Sequence, residues 1–143
     1  MRIVDTSVLL PAVSPSLPQH EAAKRALEAA INDDRPVGLV WVVVNAFLRL
    51  TTKPGLFENP LRVTEAWEIV DAWLAHPNVR AVQETEEHAR LWSDLPCNVG
   101  TSGNLTTDAW IAAIALAHGA SVLTLDSDFA RFPDVRWESP LAK

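Results

Sequence analysis

Four aspartates carry the chemistry this sequence can offer. Asp5 closes the apolar run "RIVD", Asp126 follows "SVLTL", Asp128 comes two residues later, and Asp108 stands early in "NLTTDAWIAAIALAHG". An unpaired carboxylate inside an apolar strand is costly, so each must sit at an element's end or hold something. In an open parallel sheet the carboxyl ends of the strands share one edge, where ligands bind. A helix entered from that edge carries Asp108 in its first turn, where the helix dipole favours a carboxylate, and brings it beside Asp5 and Asp126. Asp128 reaches the same pocket from a turn. Four converging carboxylates repel, so some stay protonated unless a cation joins them. Oxygen-only ligands suit Mg²⁺ or Mn²⁺, whereas zinc recruits His or Cys. The chemistry such a site best serves is phosphodiester hydrolysis, in which metal activates a water and steadies the phosphate and leaving oxygen. Taken singly, each aspartate reads as a turn former or helix cap. Their matching placement is what points to a site.

The elements that must position them alternate. "RIVD" reads as a buried strand and "PQHEAAKRALEAAIND" as an amphipathic helix with Ala23, Ala26, Leu27 and Ala30 on one stripe. A strand near Val37 to Val40 leads into a buried helix that stops before Pro54. "LRVTEAWEIVDAWLAH" has helical spacing through Val63, Ala66, Trp67, Val70, Trp73 and Leu74 and ends at Pro77. Then come a strand at "VRAV", a helix at "ETEEHARLWSDL", a loop from Pro96 to Gly103, a central helix ending at His118 and Gly119, the strand "SVLTL", and a last strand near "VRW". Strands alternating with helices predict an α/β fold with a mainly parallel sheet covered on both faces. The tryptophans fall on helical core stripes, so Trp67, Trp73 and Trp110 are expected to pack rather than to stack on bases.

A chain of 143 residues with 48% hydrophobic content suits one domain. The one cysteine, Cys97, cannot form an internal disulfide, no secretory leader is recognisable, and no apolar run approaches the ~20 residues that span a bilayer. The expectation is a cytoplasmic protein without membrane association. A net charge of −6 argues against a broad electrostatic grip on nucleic acid, but two bound divalent cations would bring it to −2. A locally basic path stays open.

"IVDTSVLL", "TTDAWIAAIALAHGA" and "VLTLDSDFARF" together resemble the PIN domain, and specifically the VapC-type toxins of bacterial toxin and antitoxin pairs. The likeness spans almost the whole chain. It implies a three-layer α/β/α sandwich, an acidic Mg²⁺ or Mn²⁺ site, endoribonuclease activity on structured RNA such as tRNA or ribosomal RNA, and a cognate VapB-like antitoxin. A homodimer is expected beside it. Carried over by position, Asp5, Asp108 and Asp126 match the metal-ligating acids and Asp128 the additional catalytic acid. One departure stands out. Where the family places a glutamate before a stretch like "FLR", this chain has Asn45 and Ala46. Asn45 presents a neutral oxygen and cannot act as a general base.

Ser7, Asn45 and Arg49 are therefore candidates for substrate-binding or supporting roles. Ser7 follows Asp5 closely, and Arg49 lies one helical turn beyond Asn45, where it pairs with a site carboxylate or the RNA backbone or, as the plainer alternative, forms an ordinary salt bridge. Arg131 and Lys53 flank the pocket edge as phosphate contacts or plain surface charge. Two other functions compete. A phosphatase using an aspartyl phosphate on Asp5 wants a second acid two residues on, where Ser7 stands. A catalytically degenerate protein that binds RNA or a partner is motivated by the missing acid. The P-loop, dinucleotide, nucleophile-elbow and zincin motifs are absent.

Overall fold

The computed structural model describes residues 1–99, 103 and 105–141. Five strands, β1 (Arg2–Val4), β2 (Val37–Val40), β3 (Val79–Val82), β4 (Ser121–Leu123) and β5 (Trp137–Glu138), form one sheet in the order β3-β2-β1-β4-β5, every pair parallel. Six helices fill the crossovers: α1 (Thr6–Val13), α2 (His20–Ile31), α3 (Trp41–Thr52), α4 (Val63–Ala75), α5 (His88–Val99) and α6 (Leu105–His118). From β1 the chain steps outward to β2 and β3, carrying α1 to α4. It then returns through α5 and α6 to place β4 on the other side of β1. Right-handed crossovers in opposite directions put the two helix groups on opposite faces, giving the expected three layers. The reversal falls between β1 and β4, the switch point at which ligands bind in such sheets. The three central strands β2, β1 and β4 are buried on both faces, with Ile3, Val4, Leu39, Val40 and Val122 at the sheet's centre, while the edge strands β3 and β5 are partly open to solvent.

The helix α1 fills a stretch to which the sequence assigns no element. Asp5 caps it by accepting the Thr6 N–H, and Pro11 sits inside it at the loss of one helical hydrogen bond. The helix α5 likewise runs to Val99, past Pro96, where the sequence suggests a loop. The expected loop's residues 100–102 lie outside the described residues. The central helix ends as expected: Gly119 adopts a left-handed φ of 62°, a backbone state that only glycine takes without strain. Among the described residues, no helix is long and apolar enough to cross a membrane.

The tryptophans divide. Trp73 packs edge-on against the buried Phe47, with centroids 5.1 Å apart. Trp110 joins Trp92 and His88 in an aromatic cluster over α5 and α6. Trp67, expected in the core, is instead 41% exposed, because α4 buries only its Ala66 and Val70 line deeply.

Candidate active site at the carboxyl edge of the sheet

The strand β1 delivers Asp5 one residue past its end. The Asp5 N–H donates to the Leu123 carbonyl at 2.9 Å, extending the ladder with β4. Its carboxylate is buried and fully engaged on one side. Oδ1 accepts the Thr6 N–H at 2.8 Å, and Oδ2 accepts the hydroxyls of Ser7 and Thr124, each at 2.8 Å. With both lone pairs of Oδ2 taken and one of Oδ1, a single acceptor position on Oδ1 is left to offer a ligand.

The two hydroxyls each have one proton, spent on Asp5, and each accepts a backbone N–H from the segment after β4. Leu125 donates to Ser7 and Asp126 donates to Thr124, both at 2.9 Å. Ser7 and Thr124 thus clamp the exit of β4 to the exit of β1 around one buried carboxylate. Thr124 is not among the residues the sequence points to, since it reads as part of the strand "SVLTL". The strand ends at Leu123, and the hydroxyl two residues before the acid is the signal that could have found it.

After the clamp the chain turns. Asp126 caps a short 3-10 turn (Ser127–Arg131) by accepting the Asp128 N–H at 2.8 Å, which swings Asp128 back toward the edge. Asp108 arrives from the first turn of α6. One carboxylate oxygen from each of Asp108, Asp126 and Asp128 lies within 4.8 Å of the other two. Asp5, expected to join them as a ligand, is not one of the three, but its charge is felt at Asp108.

The gathered charge is costly. Burial pushes the Asp108 carboxyl from its ordinary 3.8 up to about 7, helped by the negative charges of Asp126 and Asp5, a hydrogen bond with Asp126 and the charge of Asp128. Asp5 is raised as well, mainly by burial, against the lowering pull of its bonds to Ser7, Thr124 and the Thr6 N–H. A hard divalent cation fits this set on two counts. All donors are oxygens, and oxygens around a six-coordinate Mg²⁺ stand about 3–4 Å apart, a span these side chains reach by small torsions. Among the described residues, Arg131 is the cation that pairs with this group, with Nε 3.4 Å from Asp128 Oδ1, an exposed contact of little strength.

Asn45 and Arg49 stand apart from the carboxylates. Both are exposed on α3, and among the described residues neither shares a hydrogen bond or ion pair with the acidic group. The first turn of α3 nonetheless abuts the site, because Thr6 Oγ1 donates to the Val43 carbonyl at 3.4 Å. Ala46 is half-buried, and α3 carries no acid.

A doubly crossed parallel sheet with acids gathered at its switch point is the architecture of the PIN domain, and the family profile described as PIN domain matches residues 2–135. Ribonuclease VapC37 of Mycobacterium tuberculosis is 44% identical over 142 residues, covering 99% of each chain. Two solved structures share the fold. VapBC2 from Rickettsia felis, bound to a DNA fragment from its promoter, has a TM-score of 0.71 at 16% identity, covering 96% of this chain and 97% of that one. VapC20 of M. tuberculosis, a sarcin-ricin loop cleaving toxin, has a TM-score of 0.69 at 20% identity, covering 95% and 99%. The chain belongs to the PIN-domain family, in its VapC branch.

Proposed function

We propose that this protein is a metal-dependent endoribonuclease toxin that hydrolyses phosphodiesters in structured RNA, tRNA or ribosomal RNA, and is held inactive by a cognate VapB-like antitoxin. The observation that carries the reading is the convergence of Asp108, Asp126 and Asp128, with Asp108 pushed up to about 7 and feeling the charge of Asp5. The ribonuclease name of a relative 44% identical along its whole length supports the activity. The VapBC complex of R. felis supports the antitoxin. We infer likewise that the 143 residues form one domain, act in the cytoplasm and pair as a homodimer.

In this reading Asp108, Asp126 and Asp128 hold Mg²⁺ or Mn²⁺, and Asp5 adds its one free position on Oδ1. The cation, when bound, lowers the pKa of a water and offsets charge on the phosphate and leaving oxygen. Ser7 and Thr124 aim the Asp5 carboxylate, and their hydrogen bonds favour its ionised form against the opposing effect of burial. With its carboxyl pushed up to about 7, Asp108 is poised near neutral pH between its protonated form and the ionised form that would ligate a cation. The absence of a carboxylate at Asn45 favours one other reading, a degenerate PIN fold that binds RNA or a partner without cutting.

The test is cleavage of total tRNA and ribosomal RNA by the purified protein with Mg²⁺, Mn²⁺ or chelator, beside Asp126→Asn and Asn45→Glu. Metal-dependent cutting that Asp126→Asn abolishes is expected. A silent parent revived by Asn45→Glu marks a weakened nuclease, and silence in every protein on every RNA supports the binding reading.

A further inference from the structure

The acidic group explains how a phosphate is attacked, but four carboxylates repel the RNA that carries it. Something beside them must hold the strand. On α3 the residues Trp41, Asn45 and Arg49, spaced by four, are all exposed, while Val43, Val44, Phe47 and Thr51 face the core. The stripe therefore forms one solvent-facing line two turns long. It begins where β2 ends, at the sheet edge that carries Asp5, and its first turn is tied to Thr6 through the Val43 carbonyl. Trp41 is 41% exposed, one of five large apolar side chains exposed among the described residues. Arg49, like Arg25, Arg80 and Arg136 and unlike Arg2, Arg35, Arg62, Arg90 and Arg131, makes no ion pair among the described residues.

An aromatic ring, an amide and an unpaired guanidinium in a row, with no carboxylate among them, match the demands of an unpaired nucleotide strand. Rings stack on bases without regard to sequence, and guanidinium groups meet phosphates. The position occupied by Asn45 gains a meaning from its neighbours: a carboxylate there would set a negative charge between the ring and the guanidinium. We propose that Trp41, Asn45 and Arg49 form the track that seats the unpaired RNA segment next to the scissile phosphate, with a base on Trp41 and a backbone phosphate at Arg49. This rests on the nuclease reading above and names its substrate-holding surface.

The test separates the two. All proteins carry Asp108→Asn to prevent turnover, and binding of a short fluorescein-labelled single-stranded RNA of mixed sequence is followed by anisotropy over a range of salt concentrations. Trp41→Ala is expected to weaken binding by about five- to a hundredfold with the salt slope unchanged, and Trp41→Phe to recover most of the loss. Arg49→Gln is expected to lower the log-log salt slope by about 0.7, the change that follows when one phosphate of a single strand goes unneutralised. Trp67→Ala, at a ring equally exposed on α4, is expected to bind as the parent does. Unchanged affinity in Trp41→Ala and Arg49→Gln overturns the track while leaving metal-dependent cleavage by the parent standing. A shift in oligomeric state without a change in affinity overturns it in favour of a protein interface. No RNA binding by any protein, together with no cleavage by the parent, overturns both proposals.

Discussion

Replacing Asp108 by asparagine should make the metal-free protein more stable at pH 8. A carboxyl moved from 3.8 up to about 7 holds at most ~4 kcal/mol of unfavourable charge in the folded state above pH 7. The group is only half-buried, so solvent screening reduces this to ~2 kcal/mol. The sign follows from proton binding. Between pH 4 and 7 the folded chain holds a proton on Asp108 that the unfolded chain has released, so the parent loses stability as pH rises through that window and levels off above it. Asparagine stays neutral throughout. The expected gain in Tm for Asp108→Asn in EDTA is therefore about 5–8 °C at pH 8, shrinking toward zero at pH 4. Calorimetric scans of both proteins across that range measure it. Millimolar Mn²⁺ should raise the parent's Tm at pH 8 and the variant's far less, narrowing or reversing the order, because a cation that binds only the folded state stabilises by mass action. A gain of equal size at pH 5 and pH 8, or a variant less stable than the parent at pH 8, would refute the account of repelling, half-buried carboxylates.

Thr124→Val removes a donor from buried Asp5 and the acceptor for the Asp126 N–H. It should lower Mn²⁺ affinity, read by calorimetric titration, by about 10–100-fold, and cost about 1–3 kcal/mol in urea unfolding. Gly119→Ala places a Cβ on a left-handed residue with φ 62°. It should cost about 1 kcal/mol in the same urea assay while leaving Mn²⁺ affinity at the parent's value.

The sequence made the sheet legible wherever a β-branched run met a turn signal. "RIVD", "VGLV" and "VRAV" became β1, β2 and β3 with little shift in their ends. Their parallel pairing followed from the helices between them. What stayed hidden was hidden for local reasons. The proline in "TSVLLPAV" and the paired hydroxyls before it disguised α1, whose cap is the same aspartate that carries the chemistry. Pro96 disguised the last turn of α5 in the same way. At the site, the types and spacing of Asp108, Asp126 and Asp128 announced a shared pocket, but nothing in the spacing separates an exposed acid from one sealed under two hydroxyls, as Asp5 is. The burial of Asp5 depends on Thr124, more than a hundred residues away, and only the strand order puts them side by side. Asn45 illustrates the converse. A continuous apolar run suggested a helix buried all round, yet α3 turns the line from Trp41 to Arg49 outward.

The strand order also sets a schedule for synthesis. The sheet's first strand lies beside one of its last, so the acids at positions 5, 108, 126 and 128 meet only when the final stretch of chain has been made. At 5–20 residues per second, roughly 6–25 s pass between adding Asp5 and adding Asp128. During that interval β1 can already pair with β2 and α1 can already be capped, while the edge awaiting β4 stays open. A half-made chain on the ribosome therefore lacks the gathered carboxylates. Their assembly and the closing of the sheet are one event, timed by the order in which the chain is built.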